Sequence, residues 1–156
     1  MYRLGIDLGG TNIVAGLVDE NYNIIATAKR KTNCPRPADE IISDMAAVAL
    51  EVIDSAGIDK GQIEAAGVGS PGSIDSKNGI VCYSNNLGFY DVEMGKLLKE
   101  KTGIDFYIEN DANCAALAEY YVGAGRDSKR FFFFFLGTGI GGGIIHNGKI
   151  FHGSNG

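Results

Sequence analysis

The stretch Ile6-Asp7-Leu8-Gly9-Gly10-Thr11-Asn12-Ile13-Val14 decides how the rest of the chain is read. An apolar run ends at two glycines, a polar pair follows, and an apolar run resumes. That is strand, tight glycine turn, strand. Residues 3–8 and 13–19 are the two strands, and Asn23 to Lys31 supplies a third after the polar cluster 19–23. The start of the chain is therefore an antiparallel three-stranded meander.

Working outward, residues 39–56 carry Ile41, Ile42, Met45, Val48, Ala49, Val52 and Ile53. Those spacings place every apolar side chain on one helical face. Asp39 is read as the N-cap and Gly57 as the glycine just past the end. A short strand at 64–69 leads into Ser70-Pro71-Gly72. A polar turn covers 75–79, and residues 80–83 form a small strand. A helix spans 93–102, a strand 106–109, and a second capped helix runs from Ala112 to Val122. Residues 126–130 read as a linker. The six-residue run Phe131 to Leu136 reads as a strand buried on both faces, because nothing in it alternates. Gly137 to Gly143 reads as a turn, and Asn147-Gly148 as a hairpin turn between strands at 144–145 and 149–151.

The order βββαβαβα, then ββ, indicates a layered α/β domain. The opening motif also has an echo. Leu136-Gly137-Thr138-Gly139 leads into Gly143-Ile144-Ile145 much as Leu8-Gly9-Gly10-Thr11 leads into Gly16-Leu17-Val18. Residue 131 is thus expected to open a second, similar domain, with 1–126 as the first and 127–156 as linker and opening hairpin. Of the 23 glycines, 15 fall in residues 1–130 and 8 in the short remainder, which fits a second glycine turn there.

Composition narrows the chemistry. The net charge is −5, with no basic stripe, so nucleic-acid binding is not expected. No apolar run is long enough for a membrane span, and Met1 leads directly into a strand without a leader, which points to a cytoplasmic setting. Cys34, Cys82 and Cys114 form no C-x-x-C pair and read as small buried or half-buried thiols. His146 and His152 read as surface residues.

Two stretches match G-x-G-x-x-G, at Gly67-Gly69-Gly72 and Gly137-Gly139-Gly142. Neither sits between a strand and a helix, so neither is a dinucleotide fingerprint. A glycine turn between antiparallel strands can still converge its N–H groups on an anion. Two such turns, each with a threonine (Thr11, Thr138), suggest a two-sided phosphate clamp rather than two plain hairpins. Asp7, at the strand end, is either the carboxylate beside a phosphate-bound Mg²⁺ or a solvated acid. Asn110-Asp111 opens a helix, and either residue is a good cap. Asp111 could equally serve as a general base in phosphoryl transfer. Asn85 and Asn86 suit an uncharged polyhydroxylated ligand, and turn chemistry accounts for them as well.

Four stretches, in this order, resemble one family: Ile6 to Asn12, Gly69-Ser70-Pro71-Gly72, Glu109-Asn110-Asp111-Ala112-Asn113, and Leu136 to Gly143. Their combination resembles the ROK family of bacterial sugar kinases and repressors, and within it the glucokinases. The resemblance implies an actin-like, ribonuclease-H-like sugar kinase fold. It implies ATP-dependent phosphorylation of a hexose hydroxyl with Mg²⁺, glucose foremost. By the same resemblance Asp7, Gly9, Gly10, Thr11, Asn12, Gly137, Thr138 and Gly139 would hold the nucleotide phosphates, with Asp7 toward the metal. Asp111 would be the catalytic base. Gly72, Asn85, Asn86, Asn110 and Asp111 would bind the sugar.

The Glu-x-Gly-His sugar motif and the cysteine-rich zinc motif of the family do not occur in these 156 residues, so the chain alone is expected to be largely inactive. The helix-turn-helix of family repressors has no room before Asp7. The other readings are a sugar-sensing regulator, a sugar-binding module, or a kinase for an N-acetyl amino sugar or fructose. A homo-oligomer is expected, with self-association through 131–156 because apolar strands there invite pairing.

Overall fold

A computed structural model describes residues 1–136 and 140–153. Eleven strands are described: β1 Tyr2–Leu8, β2 Asn12–Val18, β3 Ile24–Lys31, β4 Ile63–Ser70, β5 Ser73–Asp75, β6 Ile80–Ser84, β7 Phe89–Val92, β8 Phe106–Asn110, β9 Arg130–Leu136, β10 Ile140–His146 and β11 Lys149–Ile150. Three helices accompany them: α1 Ala38–Ser55, α2 Met94–Thr102 and α3 Asp111–Val122.

The main sheet has the order β3-β2-β1-β4-β8. β1, β2 and β3 are the expected antiparallel meander, and β4 and β8 join it in parallel. Parallel pairing requires crossovers, and α1 and α2 lie in those crossovers. The pleat then sorts side chains onto two faces. Leu4, Ile6 and Leu8 pair with Leu17, Ala15 and Ile13, and all six are buried. With Ala66, Val68, Phe106 and Ile108 they form one apolar floor, on which α1 packs over β1 to β3 and α2 over β8. Every apolar position of α1 named from its spacing is buried.

The opposite face carries Gly5, Asp7, Gly67, Gly69 and Glu109, and α3 packs at its β4–β8 side. A Cβ on Gly69 would lie 3.5 Å from Cys114 Sγ and 3.6 Å from Asp111 Cα. The first turn of α3 therefore packs directly over Gly69.

Two small sheets complete the chain, β5-β6-β7 and β11-β10-β9. β5 and β7 were not legible as strands, since each is three or four residues long without clear alternation. α1 begins at Ala38 with Pro37 as its N-cap, so Asp39 lies in the first turn and does not cap it. Its carboxylate there favours the positive end of the helix. Gly57 takes the left-handed conformation expected after α1 (φ 67°).

The phenylalanine run is not buried on both faces. β9 is an edge strand, and Phe132, Phe134 and Leu136 point away from α3 and are exposed, Phe134 at 72%. Phe131, Phe133 and Phe135 share the other face and stack in sequence, with centroids 6.5 and 6.1 Å apart. The stretch 141–143 is not a turn either. Gly141, Gly142 and Gly143 pair in register with Phe135, Phe134 and Phe133. A Cβ on Gly143 would lie 2.6 Å from the Ala116 Cβ, so glycine is what lets β10 lie against α3.

Candidate active site

The site residues gather where β1, β4 and β8 end. Asp7 pairs with Gly69, and Gly69 with Glu109, so Asp7 and Glu109 share one face with a side-chain-free strand between them. Into that gap comes the N-terminus of α3. Asn110 is its cap: Oδ1 accepts from the N–H groups of Ala112 (3.0 Å) and Asn113 (3.3 Å). Asn110 Nδ2 donates to the Gly72 carbonyl at 3.0 Å, which fixes the amide plane. Gly72 has φ 115°, a conformation open to glycine, and a Cβ there would run into the Tyr83 carbonyl. Asp111 follows in the first helical turn, where helix-terminal N–H groups favour a carboxylate.

Electrostatics mark the same place. Partial burial, and then the neighbouring Asp111 charge, raise the Asp7 carboxyl above its ordinary value. The Cys114 thiol is pushed up to about 12 by burial, and then by Glu109, Asp111 and Asp7. Cys114 is therefore a neutral wall of the site and no nucleophile. Glu109 behaves oppositely. Burial alone would raise it, but hydrogen bonds from Asn113, His152, the Asn110 N–H and Ser76 outweigh burial and hold it below the ordinary carboxylate range.

The glycine turn after β1 is braced from outside. Gly9 N–H donates to the Asn12 carbonyl at 2.9 Å, closing the turn. Thr32, fully buried just past β3, donates its N–H to the Thr11 carbonyl (3.0 Å) and its hydroxyl to the Gly9 carbonyl (2.7 Å). Arg36 Nε donates to the Thr32 carbonyl and its guanidinium pairs with Asp44. The turn's carbonyls are thereby held on the protein side, while Gly10 and Thr11 are exposed. Among the described residues Asn12 Oδ1 is a buried oxygen without a hydrogen-bond partner. An orphaned acceptor beside such a turn suits a hydroxyl, a metal-bound water or another incoming donor.

Most of the sequence-predicted residues are brought together. Asp7, Gly9 to Asn12, Gly72, Asn110 and Asp111 line one end of the main sheet. Asn86 comes beside the glycine turn, since a Cβ on Gly10 would lie 3.7 Å from the Asn86 Cβ. Asn85 accepts from the Tyr83 hydroxyl at 3.2 Å and is exposed. Gly137, Thr138 and Gly139 lie outside the described residues. Sequence reasoning missed Thr32, Ser76, Glu109 and Asn113. His152 is a surface residue as expected, and its Nε2 lies 2.7 Å from Glu109 Oε2. A cleft of about 540 Å³ runs between Gly72, Asn110 and Glu109 on one side and Phe133, Gly142 and Ile144 of β9 and β10 on the other.

Among the described residues no three His, Cys, Asp or Glu side chains gather as a metal cluster. A Mg²⁺ held mainly by nucleotide phosphates needs only one or two carboxylates, so Asp7 fits that mode. No described helix is long and apolar enough to cross a membrane.

The ROK family model matches residues 3–156, and the chain belongs to that family. It is 38% identical over 154 residues to the glucokinase of Thermotoga maritima, covering 98% of this chain and 47% of that one. The ROK hexokinase of Thermus thermophilus has a TM-score of 0.87 at 34% identity, over 100% of this chain and 50% of that one. A ROK family glucokinase from Streptomyces griseus, solved with glucose and AMPPNP, has a TM-score of 0.87 at 35% identity, over 98% and 47%. The chain spans about half the length of these relatives. Its fold is the N-terminal half of the actin-like, ribonuclease-H-like fold of ROK sugar kinases.

Proposed function

We propose that this chain is the sugar-binding and catalytic half of an ATP-dependent hexose kinase, with glucose as the foremost substrate. One observation carries the reading. Asp111, at the start of α3, stands beside Asp7 at the strand ends from which the braced Gly9–Asn12 turn springs. A proton acceptor, a metal-binding carboxylate and a phosphate turn within one site are the parts phosphoryl transfer requires.

In this reading Asn110, its Oδ1 spent on the helix cap, offers its second Nδ2 hydrogen to a sugar hydroxyl. Gly72 holds that amide in place, and Asn86 closes the site near the glycine turn. Asp111 accepts the proton of the attacking hydroxyl as its oxygen bonds to the γ-phosphorus of ATP, the bond from that phosphorus to the β,γ-bridging oxygen breaks and ADP leaves. The exposed amides of Gly10 and Thr11 would face the phosphates, and Asp7, whose ionisation burial and Asp111 oppose, would hold a Mg²⁺ supplying charge neutralisation at the phosphates. The family resemblance assigns Gly137, Thr138 and Gly139 to phosphate binding, in a second domain that opens at residue 127. Without the remainder of that domain the 156 residues alone cannot close over nucleotide and exclude water.

The test is a coupled ATP-consumption assay on the full-length protein, with glucose and then N-acetyl amino sugars and fructose. Turnover with one of these is expected. Tight hexose binding without turnover would overturn the kinase reading in favour of a non-catalytic sugar-binding protein.

A further inference from the structure

Glu109 is only 16% exposed at its side chain, yet its hydrogen bonds hold the carboxyl below the ordinary carboxylate range against burial. A half-buried charge is costly unless it is hydrogen-bonded. The bonds engage four groups from four places. Oε1 accepts the backbone N–H of Asn110 at 2.8 Å and Asn113 Nδ2 at 3.0 Å. Oε2 accepts the Ser76 hydroxyl, from the turn after β5, at 3.0 Å. The same oxygen lies 2.7 Å from His152 Nε2, just past β11.

The consequence falls on Asn110. Its N–H is pinned to Glu109, its Oδ1 to the first turn of α3, and its Nδ2 to Gly72. Only the Glu109 bond is charge-assisted, and such bonds are the stronger ones. Through His152 the same carboxylate reaches the far wall of the cleft.

We infer that Glu109 is a positioning residue that sets Asn110 for the sugar, with His152 as the donor that ties it to the β10–β11 hairpin. This rests on the hexose-kinase reading. Glu109 touches no reacting atom. It acts on hexose affinity and leaves nucleotide affinity alone, because the glycine turn is braced separately by Thr32. His152→Arg keeps a donor at this place, and His152→Ala removes it.

The experiment pairs kinetics on the full-length protein with ¹H–¹⁵N spectra of the same protein. Glu109→Gln is expected to raise the hexose KM about tenfold, the value of one charge-assisted hydrogen bond. The ATP KM and kcat should stay within about threefold. The Asn110 amide proton should move upfield as its acceptor loses charge. His152→Ala should raise hexose KM in the same direction, and His152→Arg should restore it. Equal changes in both KM values, an unshifted Asn110 amide, or equal kinetics for His152→Ala and His152→Arg would each overturn the inference. If the wild type phosphorylates no hexose, the kinase reading fails separately, and the Asn110 resonance still decides whether Glu109 positions it. Should Glu109→Gln not fold, the two His152 variants carry the test.

Discussion

Thr32 Oγ1 donates to the Gly9 carbonyl over 2.7 Å, joining two residues that are 23 apart in the chain. The bond makes the end of β3 a backing plate for the glycine turn. Thr32→Val keeps the shape and the Thr11 contact but leaves the Gly9 carbonyl without its donor. The expected loss of stability is about 1–2 kcal/mol, measured by urea melts. In the full-length protein the ATP KM should rise while the hexose KM holds. A rise in hexose KM alone would contradict this role.

Gly72 and Asn110 form the matching relationship on the sugar side. Gly72→Ala adds a Cβ where φ is 115° and where the Tyr83 carbonyl already lies. Strain and overpacking together should cost about 2–5 kcal/mol. Because the Gly72 carbonyl anchors Asn110, hexose affinity should fall as well. Calorimetric glucose binding that matches wild type would show that the anchor is dispensable.

The meander, α1 and the α3 cap were legible because local signals agree with tertiary demand. Asp7, Asn110 and Asp111 stood out for the same reason, as polar residues at strand and helix ends. The phenylalanine run misled because unbroken apolarity says nothing about which face a neighbour covers. β9 is an edge, so alternate rings stay in solvent. Gly141 to Gly143 read as a turn because glycine is a poor strand former. Their strand exists because α3 and Phe135 occupy the space a Cβ would need. Thr32, Glu109 and His152 were invisible for a different reason. The contacts that give them their roles join distant parts of the chain, Thr32 to Gly9 across 23 residues and Glu109 to His152 across 43, and no spacing encodes such a contact.

Asp7 and Glu109, the two shifted carboxylates of the site, predict opposite pH behaviour. Asp7 is raised in the folded chain, so its ionisation opposes folding; the penalty is absent below its unfolded pKa and complete above its folded one. Asp7→Asn should therefore raise the melting temperature at pH 7 and lose that gain at pH 3. Glu109 is lowered, so its contribution is present above its unfolded pKa and is lost as pH falls through the folded value. Glu109→Gln should cost stability at pH 7 and converge on wild type in strong acid. Parallel melts of both variants check the signs.

The bare face of β9 predicts association of the 156-residue chain. Phe134 and Leu136 are 72% and 83% exposed on an edge strand, and Ile140 beside them is 82% exposed. Light scattering should find concentration-dependent dimers or larger species. Phe134→Lys with Leu136→Lys should return a monomer. A wild-type monomer at high concentration would contradict the prediction.

Asp111 carries the central claim. The most direct measurement is kcat for hexose phosphorylation by full-length protein carrying Asp111→Asn, which keeps the size and polarity of the side chain. Loss of a general base should lower kcat by about 10²-fold or more, with ATP and hexose KM little changed. A kcat close to wild type would return Asp111 to the role of a residue in the first turn of α3 and contradict the mechanism.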